Sequence, residues 1–141
     1  MFAEEINFHK QRADVFYERV KACVYSNALS LNCMFAPSEQ PVPFEKRLEL
    51  QYSRLEPGGR WGQNCSSAWF HITGTVPQKF EGLELALIFD PGGESMIFGN
   101  DGIPVCGLTG GSVFSPNYRK TAFRINGSQK AGDKLEFWIE G

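Results

Sequence analysis

The chain has 141 residues, of which 42% are hydrophobic and 21% charged, and its formal net charge is -2. That length suits a single domain able to withdraw roughly 68% of its unfolded surface from water without disulfide or metal staples. The near-neutral balance gives no electrostatic reason to expect nucleic acid or an anionic membrane as a partner. Aromatic residues are abundant, with twelve Phe, and they serve a sandwich core and sugar stacking equally well.

In chain order, Ala13, Phe16, Tyr17, Val20, Cys23 and Val24 recur at helical spacing, with Glu18, Arg19 and Lys21 off that stripe. The pattern predicts an amphipathic helix over Asn7 to Tyr25, with Asn7 as N-cap, packed on a sheet or on a neighbouring domain. Ala36 to Pro43 holds three prolines and reads as an extended connector. This sets a lead-in over residues 1–35 and a β domain over 36–141.

Strand patterns follow. Arg47 to Leu55 alternates Leu48, Leu50 and Tyr52 with polar residues and stops at Pro57-Gly58-Gly59, which predicts a half-exposed strand. Ala68 to Val76 places Phe70, Ile72 and Val76 on one face and Trp69, His71, Thr73 and Thr75 on the other. Leu83 to Asp90 alternates Leu83, Leu85, Leu87 and Phe89 against Glu84, Ala86, Ile88 and Asp90, and Pro91-Gly92-Gly93 ends it. Glu94 to Phe98 is apolar at Met96, Ile97 and Phe98 in a row, a strand covered on both faces. Asn100-Asp101-Gly102 forms the next turn, followed by Pro104. Gly107, Gly110 and Gly111 suit a tight loop or a close approach. They form no phosphate cradle, because Ser112 and Val113 follow where a P-loop needs Lys-Ser/Thr. Thr121 to Ile125 and Leu135 to Ile139 complete the set, joined by a loop containing Asn126-Gly127. Short strands separated by Gly, Pro and Asn turns predict a mainly β fold, an antiparallel sandwich preceded by one α-helix.

Catalytic constellations are not evident. The two histidines, His9 and His71, lie in no HxD, HxH or HExxH arrangement and read as surface residues of helix and sheet. No GxSxG elbow exists, and the paired carboxylates of a glycosidase are not marked by any motif. Cys23, Cys33, Cys65 and Cys106 form no CxxC pair; the expectation is free thiols in a reducing cytosol. No signal peptide precedes the helix, and no apolar run approaches the ~20 residues of a membrane span. Without a secretory signal, the sequons at Asn64 and Asn126 read as coincidence.

The polar groups nearest the glycine turns are Glu94, Asn100 and Asp101, and Trp61 in GGRWGQN is the aromatic best suited to a flat apolar contact with a sugar. Two readings stand side by side: these four bind a glycan, or Asp101 stabilises a turn and Trp61 plugs an interdomain seam. Trp69 and His71, on the outward face with Thr73, point to a second covered face. On that expectation this face or the helix docks on another domain or a second subunit.

Three stretches, WFHITGTVPQKFEG (Trp69 to Gly82), LIFDPGGESMIFGNDGIPVCGLTGGS (Leu87 to Ser112) and GDKLEFWIEG (Gly132 to Gly141), together with the preceding helix, resemble the N-terminal β domain of family 38 glycoside hydrolases, the cytosolic and bacterial type of alpha-mannosidase. The pattern also looks like the galactose-binding-type jelly roll that many sugar hydrolases carry. The resemblance implies a non-catalytic domain of a longer cytoplasmic enzyme whose later barrel domain holds zinc, an aspartate nucleophile and an acid/base group. None of those motifs has a counterpart here, so no catalytic residue, metal ligand or cofactor is assigned to this chain. The implied partner is the downstream catalytic domain; the alternatives are a carbohydrate-binding module and an oligomerisation domain pairing with its own copy. The last strand stops at Glu140-Gly141 inside the matched motif, which fits a domain cut from a longer protein.

Overall fold

The computed structural model describes residues 2–63, 65–111 and 118–141, with side chains from Glu5 onward. Asn64 of the first sequon and Ser112 at the end of the glycine block lie outside these residues. Two compact units result, Met1–Ser30 and Leu31–Gly141.

The first unit holds helix α1 (Phe2–Cys23). It begins five residues before the expected start, so Asn7 is an interior helical residue and not the N-cap. Nothing in Ala3-Glu4-Glu5 breaks a helix, which explains the earlier start. All of its described side chains are exposed.

The second unit contains eight strands among the described residues: β1 (Asn32–Ser38), β2 (Ser53–Arg54), β3 (Ser67–Thr75), β4 (Ala86–Ile88), β5 (Glu94–Phe98), β6 (Pro104–Thr109), β7 (Ala122–Arg124) and β8 (Lys134–Glu140). They form a six-stranded sheet in the order β2-β1-β3-β8-β5-β6 and a two-stranded sheet of β4 and β7. Every pairing is antiparallel. The mainly β, antiparallel fold with an N-terminal helix is therefore as the alternation predicts.

The core follows from the period-two pattern. Ala68, Phe70 and Ile72 of β3, Phe137 and Ile139 of β8, Ile97 of β5 and Leu108 of β6 cluster on one face of the large sheet, against Leu87 of the small one. Phe70 and Ile139 are both 0% exposed and face each other across β3 and β8. Phe89 caps the Phe70 ring edge-on at 5.1 Å, and Phe123 meets Phe137 edge-on at 6.3 Å. Fully burying each such side chain contributes roughly 1.5–3 kcal/mol.

Several expectations are corrected. The first strand begins at Asn32, ahead of the boundary drawn at residue 36, and Pro37 lies within it opposite Ala68. Proline is tolerated there because β2 reaches only Met34 and Phe35, leaving β1 an edge at Pro37. Arg47 to Leu55 is not one strand but a 3-10 turn over Phe44–Glu49 followed by the two residues of β2. The alternation misleads there: Leu48 is 68% exposed, while Arg47 is the residue held against aromatic rings. The stretch containing Gly107, read as loop, is strand β6, the second arm of a hairpin with β5. The β4 ladder is shorter than Leu83 to Asp90, yet backbone bonds from Ile125 to Leu85 and from Phe89 to Thr121, both near 2.9 Å (2.9 and 2.8 Å), extend its pairing at each end.

Phe70→Ala should lower the unfolding free energy by about 3–5 kcal/mol through cavity formation, whereas Leu83→Ala, at an exposed position, should change it by about 1 kcal/mol or less. Urea unfolding followed by tryptophan fluorescence checks this; equal losses at the two positions would refute the core assignment.

Candidate functional site

The four residues expected to bind ligand do not form one cluster. Glu94 opens β5, while Asn100 and Asp101 lie in the turn beyond its far end, with the four steps of the strand, roughly 13 Å at about 3.3 Å per residue, between them. At the Glu94 end, Trp61 packs edge-on against Phe70 at 5.2 Å, and its Nε1 donates to the Pro91 carbonyl at 2.8 Å. Asp90 Oδ1 accepts from the Gly92 amide at 3.0 Å, the Gly110 amide donates to the Gly93 carbonyl at 3.1 Å, and Arg119 Nε donates to the Gly110 carbonyl at 2.9 Å. A Cβ at Gly110 would lie 2.8 Å from Asp90 Oδ1, so the glycine there answers a close approach. These loops are thus tied together by their own polar groups, and Trp61 is tied into the core.

At the other end, Asp101 Oδ1 accepts from the Ile103 amide at 3.1 Å, while backbone bonds link Gly102 to Gly99 and Gly99 to Ile103. Asp101 therefore holds a turn. Gly102 has φ +78°, and a Cβ there would meet Phe44 Cδ1 at 2.8 Å. This packs the turn under the 3-10 segment.

That segment explains the outer face of the large sheet. Trp69, expected at an interface, is 1% exposed; its ring meets Phe44 at 5.8 Å and Phe98 at 5.1 Å, and its Nε1 donates to the Val42 carbonyl at 2.8 Å. The second face is covered, but at Trp69 the cover is the chain's own residues 42–52. The His71 ring lies parallel to Trp138 with centroids 3.9 Å apart, and its Nε2 is 2.8 Å from Glu136 Oε1.

Sequence reasoning missed Arg47, Tyr52, Phe44 and Trp138 as a unit. The Arg47 guanidinium lies 3.5 Å from the Phe44 ring centroid and 4.5 Å from that of Trp138, and its Nη1 donates to the Phe44 carbonyl at 2.7 Å. Its Nε is buried without a partner among the described residues, a deficit that the two aromatic faces offset. Tyr52 meets Trp138 edge-on at 6.0 Å and donates from its hydroxyl to the Arg47 carbonyl at 3.0 Å. The available signal was the placement of Trp138 opposite in phase to Phe137 and Ile139, which demands a second apolar cover.

The chemistry open to this face is limited. Glu136 and Glu140 share it, four residues apart along β8, about 13 Å by strand rise, whereas glycosidases hold their two carboxyls roughly 5–9.5 Å apart. Glu136 is engaged by His71, and burial pushes the Glu140 carboxyl upward. Burial likewise raises the Cys33 thiol. Among the described residues no three His, Cys, Asp or Glu side chains converge to hold a metal. The zinc implied by the resemblance therefore has no ligand set in these residues, and no step here runs through it. All four cysteines are free, and no described helix is long and apolar enough to cross a membrane.

Residues 26–141 match the family described as alpha-mannosidase, jelly roll domain. The chain belongs to this family. Alpha-mannosidase 2C1 of Mus musculus is 30% identical over 117 residues, covering 82% of this chain and 10% of that protein. Alpha-mannosidase G of Dictyostelium discoideum is 24% identical over 127 residues, covering 86% of this chain and 11% of that protein. The chain thus spans about a tenth of the length of these curated relatives. The alpha-mannosidase jelly roll match includes all eight strands and both covered faces of the large sheet, and it leaves out helix α1.

Burial pushes the Tyr52 phenol from its ordinary value near 10 up to about 12, with Arg47 pulling the other way. Because the folded value is the higher, its contribution to stability is complete below pH 10 and is lost as pH rises towards 12. In an absorbance titration of phenolate formation, one of the four tyrosines should ionise last, and Tyr52→Phe should abolish that late step. Retention of the step in the variant would refute the assignment.

Proposed function

We propose that this chain is the N-terminal, non-catalytic jelly-roll domain of a cytoplasmic family 38 alpha-mannosidase, whose work is to support a downstream domain that hydrolyses alpha-mannosides with zinc. The observation that carries the reading is the alignment of this chain with about a tenth of two proteins named alpha-mannosidase. Supporting it, four carboxylates near the turns and on the sheet are engaged within the chain: Asp90 and Asp101 with backbone amides, Glu136 with His71, and Glu84 with Arg124 at 2.6 Å. The free cysteines fit a reducing compartment. In this reading zinc, the nucleophile and the acid/base group belong to the downstream domain.

A sheet covered on both faces is a rigid platform, and rigidity at a distance is how a supporting domain contributes to orientation in an active site. The carbohydrate-binding alternative asks Trp61 to offer a free ring face to sugar, and its edge-on packing on Phe70 and bond to Pro91 favour the supporting role.

The purified 141-residue chain should hydrolyse no 4-nitrophenyl alpha-mannoside, with or without added zinc, while the complete protein should; deleting the jelly roll from the complete protein should abolish turnover. Mannose titrated into the isolated chain should shift few or no resonances. Turnover by the chain alone, or saturable shifts at Trp61 and Glu94, would overturn the proposal.

A further inference from the structure

Helix α1 carries a repeat that the jelly roll does not explain. Ile6, His9, Ala13, Phe16, Val20 and Cys23 follow one another at steps of 3, 4, 3, 4 and 3 residues, the a and d spacing of a coiled-coil seam. The helix is continuous through all of them, and Ile6, Phe16 and Val20 are exposed. Asn7, Gln11, Asp14, Glu18 and Lys21 occupy the opposite b and f positions, where solvent belongs. A helix in a protein gains most of its stability from packing its apolar face.

We propose that α1 pairs in parallel with α1 of a second copy of this chain, forming a short two-stranded coiled coil. The flanking charges select that occupant and orientation. In the register set by the seam, Glu5 is a g position and Lys10 the e position five residues on, so a parallel pair brings Glu5 of each helix to Lys10 of the other. The next g to e step sets Arg12 against Tyr17, a cation facing an aromatic ring. An antiparallel pair sets g against g and gathers Arg12 and Arg19 of both helices on shared flanks, where like charges oppose. The parallel pair also aligns Cys23, a d residue, with its own copy, at a separation that a disulfide spans. This inference is independent of the mannosidase reading, since α1 lies outside the residues that match the family.

Analytical ultracentrifugation of the 141-residue chain, from micromolar to sub-millimolar concentration, reads the association. A monomer–dimer equilibrium is expected. Phe16→Lys should leave only monomer, while Glu5→Lys and Lys10→Glu should each weaken the dimer by roughly tenfold, and the double swap should restore it. Oxidised glutathione should give a covalent dimer that Cys23→Ser does not form. A chain monomeric throughout, a dimer indifferent to Phe16→Lys, swaps that fail to restore one another, or no Cys23 cross-link would each overturn the proposal. All substituted side chains are exposed, so folding of the β unit is not at stake.

Discussion

The β unit depends on the pairing of β3 with β8, seven residues in register from Trp69 opposite Glu140 to Thr75 opposite Lys134. These strands lie at the centre of the large sheet and come from distant parts of the chain, so a long loop must close before either gains a partner. Once paired, they set both faces at once. Phe70 and Ile139 fall on one side and Trp69 and Trp138 on the other, because alternate residues of a strand point oppositely.

Each face then obtains its own cover from the intervening sequence. On the core side, the small β4 and β7 sheet supplies Leu87, with Phe89 and Phe123 packed beside it. On the outer side, the 3-10 segment supplies Phe44 and the Arg47 guanidinium, the latter serving as a flat cationic lid between two rings. Arginine suits that place because its planar, weakly hydrated head stacks on aromatic faces at modest desolvation cost. The consequence for function is that the aromatic groups best placed to meet sugar or a partner, Trp61, Trp69 and Trp138, are engaged within the chain.

The polar residues of the turns obey the same economy. Asp90 and Asp101 sit beside glycines, as ligand-binding carboxylates often do, but each accepts from a backbone amide two residues on. From sequence, an aspartate that binds and one that closes a turn look alike, since both favour glycine-rich loops. Only the position of the neighbouring amide separates them. The same limit hid the division of Glu94 from Asn100 and Asp101, which are near in sequence but separated by the length of β5.

By itself the sequence determined the fold class, the existence of the helix, the identity of β3, β5 and β8, and the family, because period-two alternation and glycine punctuation are local signals that burial enforces. It misassigned what non-local partners decide. Pro37 is in a strand because β3 runs beside it, and Gly107 is in a strand because β5 does. Phe44 to Glu49 turns because Trp69 and Trp138 need a cover. Tertiary structure also decided that Trp69 faces its own chain, since a sheet with large aromatics on both sides must bury both, and no pattern along one strand records which segment arrives to do so.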